Sequence, residues 1–235
     1  MTLAVTVSDD TVAEGGAMWI LGDWGQSGPW QRTSGVKMTK GKDGVYTGVL
    51  TLPKGTMFRL KVMKSAVEST SGGVNVWSAA SYSSVLNSHG AYDFGKFSKN
   101  LIPNGSFEEG AVKWTPSECI LQRDYAIDGG YFLGIGDQYP SSSTSDTFVI
   151  PPNQDLRLSG YLYGWHVDGS VIVEIKDVDT QSVLLKTVLS TKKTYTWEAF
   201  SETFKTGDSP VAAQVVCTNV GVSAHCLDAM SLVMP

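Results

Sequence analysis

The residues of this chain whose types and spacing suit them to chemistry are mostly aromatic. In the run Leu156-Arg157-Leu158-Ser159-Gly160-Tyr161-Leu162-Tyr163-Gly164-Trp165, rings recur at every second position. Side chains alternate across a strand, so Tyr161, Tyr163 and Trp165 share one face while Leu158, Leu162 and two glycines share the other. Such a stripe has three uses: filling the space between sheets, contacting another subunit, or offering flat apolar surface to a ligand. A second concentration lies in Trp24-Gly25-Gln26-Ser27-Gly28-Pro29-Trp30, where two tryptophans flank one loop, an arrangement that packing alone seldom requires.

Catalytic constellations are missing by comparison. The three histidines, His89, His166 and His225, come without a Gly-x-Ser-x-Gly elbow, a metal motif or a phosphate loop. His89 reads as a loop or interface histidine, because no second His or Cys lies at ligand spacing. Cys119, Cys217 and Cys226 are too few and too widely spaced for a zinc site or a disulfide framework, and a Cys217–Cys226 bridge is left open. Glycoside hydrolysis needs two carboxylates held across a cleft, which two small sandwiches are too short to wrap. The expectation is a non-enzymatic protein.

The elements that would position these residues are strands. With 235 residues, 42% hydrophobic and 17% charged, the chain can bury one large core or two small ones. Short apolar runs at Gly16–Trp24, Val36–Thr39, Gly44–Leu52 and Met57–Lys64 are separated by turn residues such as Gly41-Lys42-Asp43-Gly44 and Pro53-Lys54-Gly55. Further on, Val171–Lys176 and Val183–Leu185 frame a hairpin around Asp177-Val178-Asp179-Thr180. Strands with such spacing predict antiparallel sandwiches. Pro103 and Gly105, between an apolar pair and Phe107-Glu108, mark the opening strand of a second domain. The predicted fold class is all-β: an immunoglobulin-like sandwich over residues 1–97, then a jelly roll over 98–235.

Charge divides along the same line. Residues 1–99 carry ten basic against seven acidic side chains, whereas residues 100–235 carry eight against sixteen, a net of about −8. The second half would repel nucleic acid, and the first lacks a basic cluster interleaved with aromatics, so no nucleic-acid partner is expected. No run of eighteen apolar residues exists, so no membrane insertion is expected either.

Two family resemblances add to this. The stretch Asn100-Leu101-Ile102-Pro103-Asn104-Gly105-Ser106-Phe107-Glu108 with Trp114, the turn Asp128-Gly129-Gly130 and the closing Leu227-Asp228-Ala229-Met230-Ser231-Leu232 resemble jelly-roll carbohydrate-binding modules of the cellulose- and xylan-binding type. In that family aromatics on one sheet stack sugar rings, a role the resemblance gives to Tyr161, Tyr163 and Trp165. It also implies a structural calcium, with Glu108 and Asp228 as ligands and carbonyls of the Gly129-Gly130 turn completing the shell; Leu227 replaces the first of the family's two closing aspartates. Beyond that, no cofactor is expected to be required.

The first half, with Leu52-Pro53-Lys54-Gly55-Thr56, Phe58-Arg59-Leu60-Lys61-Val62 and Trp77, resembles starch-binding β-sandwich modules. There two tryptophans form a sugar platform, a role that falls on Trp30 and Trp77 with Lys61 or Lys64 as polar partner. Sequence after Trp77 departs from the family pattern, and tryptophans serving as core or interface residues remain the alternative.

The start of the chain has neither a basic segment nor an apolar stretch of the kind that directs export. This favours a phage virion surface protein, assembled in the host cytoplasm, decorating the capsid as a homo-oligomer and contacting major capsid or other virion proteins and host-surface glycans. A free-standing or secreted extracellular polysaccharide-binding protein, or a tail or receptor-binding component, is the alternative. Leu3, Val5 and Val7 alternate, and serve either as the first strand of their own sandwich or as a strand added to a neighbour's sheet edge.

Overall fold

Alternation of apolar and polar residues decides which face is buried in strands of both halves of the chain, such as Val45–Thr51 and Ser170–Asp177. A computed structural model describes residues 1–8, 16–25, 31–65, 75–96, 100–116, 119–121, 125–136, 141–221 and 223–234, the side chains at 75–77, 79–83, 95–96 and 119–121 excepted. The chain divides into two units, Met1–Lys99 and Asn100–Pro235. Both are built of β-strands, and the one helical element among the described residues is the three-residue 3-10 turn Arg32–Ser34. No helix among them is long and apolar enough to cross a membrane.

The N-terminal unit holds β1 (Thr2–Ser8), β2 (Ala17–Asp23), β3 (Val36–Lys37), β4 (Thr39–Lys40), β5 (Val45–Thr51), β6 (Met57–Ser65), β7 (Asn75–Val85) and β8 (Gly90–Lys96). They form two four-stranded sheets, β4-β5-β1-β8 and β3-β2-β6-β7. Leu3, Val5 and Val7 are fully buried and share a core with Ile20, Phe58, Leu60 and Val62 of the other sheet. Strand β1 runs antiparallel to β5 and parallel to β8, so it has a neighbour on each side. The reading of residues 3–7 as an arm for a neighbour's sheet edge is thereby corrected: both edges of the strand, and its apolar face, are used within its own sandwich.

The C-terminal unit holds β9 (Trp114–Thr115), β10 (Cys119–Leu121), β11 (Tyr131–Ile135), β12 (Ser142–Ser145), β13 (Phe148–Ile150), β14 (Asp155–Gly164), β15 (Ser170–Asp177), β16 (Val183–Leu189), β17 (Trp197–Lys205), β18 (Val211–Val220) and β19 (His225–Val233). One sheet has the order β10-β11-β19-β14-β17 and the other β16-β15-β18-β12-β9, with β13 also pairing β18. Leu156, Leu158 and Leu162 of β14 meet Val171, Val173 and Ile175 of β15 in the core between the sheets. Each such fully buried aliphatic side chain contributes about 1.5–3 kcal/mol.

The stretch opening this unit is not a strand. Asn104, Phe107, Gly110 and Lys113 all have positive φ, and the chain turns repeatedly from residue 101 to 113. Side chains replace the ladder: Asn100 Oδ1 accepts from Ile102 N at 3.1 Å and Leu232 N at 2.9 Å, and its Nδ2 donates to Met230 O at 2.8 Å. Gly105 permits this docking onto β19, since a Cβ there would lie 2.3 Å from the Met230 carbonyl oxygen. Opening and closing stretches thus meet in space through turns and a bridging asparagine.

The open question of a Cys217–Cys226 bridge is also answered, because both thiols are free and buried. Cys217 lies in the core between the sheets, whereas Cys226 belongs to a separate aromatic cluster on the other face of its sheet. Burial pushes both thiols well above the usual range, which keeps them protonated and unreactive.

Candidate functional site: an aromatic patch on the C-terminal unit

On the face of the β14 sheet that points away from the core, Tyr163 pairs across to Cys226 on one side and Trp197 on the other. Tyr163 therefore stands at the centre of a row of side chains running across three strands. Its ring centroid lies 5.3 Å from that of Trp197 and 5.0 Å from that of Trp165, the latter edge-on at 82°. Phe132 of β11 packs at 6.0 Å on Trp197, Tyr125 at 6.0 Å on Trp165, and Tyr195 at 6.1 Å on Trp165. Such tilted and edge-to-face arrangements are the favoured geometry of aromatic pairs.

Exposure across the six rings is graded. Phe132 and Tyr163 form a buried floor, Trp165 and Trp197 are half-buried, and Tyr125 and Tyr195 stand 46% and 65% exposed. Tyr195 also sits on left-handed backbone at φ 56°, a conformation that costs a non-glycine residue on the order of 1 kcal/mol. That turn is fastened by Tyr195 N donating to Gly164 O at 3.0 Å and Thr191 Oγ1 donating to His166 O at 2.9 Å. On the other flank, Trp197 Nε1 donates to the Tyr125 carbonyl. Burial, with Tyr125, Cys226 and Tyr195 adding to it, raises the Tyr163 phenol above its ordinary value, so it stays a protonated hydroxyl.

Of the residues read from sequence, Tyr163 and Trp165 come together here. Tyr161 lies on the same strand face, half-buried, paired with Asp228 and Ala199. Trp197, Tyr125, Tyr195 and Phe132 were missed as site residues; the Tyr195-x-Trp197 spacing, itself alternate, was the available signal. In the N-terminal unit Trp30 lies outside the described residues. Trp77 sits on β7 opposite Met63, with its side chain outside the description. Lys61 is 3% exposed on β6, and Lys64 is half-buried.

Glu108 and Asp228 both reach the turn formed by residues 126–131. The Glu108 carboxylate accepts from Gly130 N at 3.1 and 3.2 Å and from Tyr131 N at 3.3 Å. Asp228 Oδ2 accepts from Ile127 N at 3.0 Å and Asp128 N at 3.1 Å, while Oδ1 accepts from Ala229 N at 2.6 Å. The resemblance implies a calcium ion held by these carboxylates and by turn carbonyls; the hydrogen bonds made here are from N–H groups of the turn to the carboxylates. Among the described residues no group of three or more His, Cys, Asp and Glu side chains is placed to hold a metal ion. As arranged, the two carboxylates clamp the turn that carries Ala126 into the aromatic cluster.

His225, fully buried and paired with Gly164 at the end of the patch, gives the unit a pH dependence. Its Nδ1 faces two acceptors, Asn219 Oδ1 at 2.9 Å and Ser223 O at 3.1 Å, and Asn219 Nδ2 donates to Ser223 O at 2.9 Å, which orients the amide. Nδ1 therefore carries the proton, leaving Nε2 buried without a hydrogen-bond partner. Burial lowers this imidazole below its ordinary value of 6.5. The unfolded chain takes up the proton first as pH falls, so the stabilisation is present above the ordinary value of 6.5 and is lost as pH drops from there through the lower folded-state pKa. Melting temperatures at pH 7.5 and 5.5 should show a fall in the wild-type protein that is markedly smaller in His225→Gln; equal falls would remove His225 as the cause.

No family of related sequences matches the chain, and no curated protein matches it. Solved structures do. The carbohydrate-binding module TmCBM61, in complex with β-1,4-galactotriose, aligns at 13% identity over 58% of this chain and 99% of its own, with a TM-score of 0.44. A family 16 carbohydrate-binding module aligns at 18% identity over 57% of this chain and 99% of its own, at a TM-score of 0.44. The enzymatically active domain of bacteriophage CBA120 tailspike protein 4 aligns at 12% identity over 57% of this chain and 21% of its own, at 0.41.

Proposed function

We propose that the chain is a non-enzymatic glycan-binding protein whose binding surface is the Tyr125, Tyr163, Trp165, Tyr195 and Trp197 patch. The observation that carries this reading is the pair of exposed rings, one on strained backbone, fixed above a buried aromatic floor. The C–H face of a pyranose packs on such rings, each contact worth on the order of 1 kcal/mol. Tyrosine hydroxyls at the rim add hydrogen bonds that orient the sugar. The fold is of the kind seen in carbohydrate-binding modules, and TmCBM61 holds a β-1,4-linked galactotriose. A polysaccharide array probed with the full chain tests the reading: retention on one or more glycans is expected, and no retention on any would contradict it.

Where the protein works is a further part of this proposal. The C-terminal net charge of about −8 suits a domain facing solvent on a crowded particle, because like charge keeps particles apart. In this proposal the protein works on a phage particle beside capsid or other virion proteins, as a homo-oligomer, and the charge supports the C-terminal domain as the part that faces solvent. A protein inventory of purified particles lacking this chain would contradict the placement and leave a free-standing polysaccharide-binding protein. No metal is required in this account. Added EDTA should leave the melting temperature within about 2 °C, whereas a calcium-reversible fall of ~5 °C or more would establish a structural cation.

A further inference from the structure

Strand β17 is the last strand of its sheet, and its two faces serve different surroundings. Trp197 belongs to the aromatic patch, whereas the next residue, Glu198, pairs with Leu162, and Phe200 pairs with Gly160. Leu162 faces the core, so by alternation Glu198 and Phe200 point to the inner side of the sheet. There a cleft of about 490 Å³ opens between Leu162, Leu189, Ser190, Lys192, Glu198 and Phe200. Clefts holding small ligands span roughly 300–1,000 Å³.

The cleft is built, not a gap left by poor packing. Phe200 lies over a glycine, since a Cβ on Gly160 would fall 2.8 Å from Phe200 Cζ, and the half-buried ring forms part of the cleft wall. Glu198 is held in place by Lys192 N, which donates to Oε2 at 2.7 Å, and its carboxylate has acceptor capacity beyond that bond. The exposed Ser190 and Lys192 add a hydroxyl and an ammonium to the same lining.

An aromatic and aliphatic floor, a carboxylate that accepts paired hydroxyls, and two donors are together complementary to a pyranose. We propose that this cleft is a second sugar-binding site, taking one or two units of a neutral glycan independently of the aromatic patch. With one carboxylate and one ammonium among the lining residues, the cleft carries no net charge, which suits neutral units. The ligand class is shared with the function proposed above, but the site and its residues are separate.

Methyl and indole NMR on the full chain, titrated with an oligosaccharide of each glycan that the array retains, separates the two. The methyl signals of Val188 and Leu189 should shift with at least one of these sugars. In Glu198→Gln, which keeps an oxygen for Lys192 N, that affinity should fall about tenfold, as expected for loss of a charged hydrogen bond, while the Trp165 indole response is unchanged. A Trp165 response with silent methyls overturns the cleft and leaves the patch standing. Methyl shifts of equal affinity in Glu198→Gln also overturn it. Methyl shifts with a silent Trp165 support the cleft and overturn the patch, and silence at both positions overturns both.

Discussion

Replacing Asp228 by alanine should lower the melting temperature of the C-terminal unit by ~10 °C or more. The side chain is fully buried and accepts from three backbone N–H groups, those of Ile127, Asp128 and Ala229. Alanine leaves these donors without that acceptor in a site water does not reach, at about 1–3 kcal/mol each, partly relieved by relaxation of the turn. A total of ~3–5 kcal/mol corresponds to roughly 10–20 °C in a unit of this size. Asp228→Asn keeps one acceptor oxygen and should lose less. A circular dichroism melt showing a fall under about 3 °C for the alanine variant would mean that the turn is held by other contacts.

Trp165→Ala should weaken glycan binding by ~10–100-fold with a small change in stability. Its indole touches Tyr125, Tyr163 and Tyr195, so truncation removes one stacking surface and the support of two exposed rings. Loss of one to two stacking contacts and their preorganisation is worth about 1.5–3 kcal/mol, which sets the fold-change. Because the side chain is only half-buried and lies outside the sandwich core, the melting temperature should move by less than ~5 °C. Calorimetric titration with whichever glycan the wild-type chain retains measures both the affinity and the stoichiometry. An unchanged dissociation constant would show that Trp165 packs without binding.

How much of this could be read beforehand depends on how local the determining physics is. The face shared by Tyr161, Tyr163 and Trp165 follows from period-two alternation within one strand, and the structure places Tyr163 and Trp165 together. Trp197 and Phe132 join them through strand pairing across β17, β14, β19 and β11, and the order of strands in a sheet is not written in any single strand. Tyr195 and Tyr125 arrive on loops whose positions depend on contacts with Gly164 and Trp197. Glu108 and Asp228 were singled out by resemblance and do meet at one turn, but the direction of its peptide groups, N–H toward the carboxylates, is a three-dimensional fact. Pro103 and Gly105, between the apolar pair and Phe107-Glu108, predict an entry strand for the second domain. Positive φ at Asn104, Phe107 and Lys113 makes it a series of turns, and Phe107 gives no sequence warning of such a conformation. Leu3, Val5 and Val7 had two uses consistent with their alternation, and pairing with β5 and β8 decides between them.

The most direct test of the aromatic patch as a glycan site is a diffraction structure of the full chain with a bound oligosaccharide chosen from the array. The account predicts a pyranose ring in van der Waals contact with Trp165, flanked by Tyr125 and Tyr195. A sugar bound solely to the N-terminal unit, with the Trp165 face bare, would contradict it.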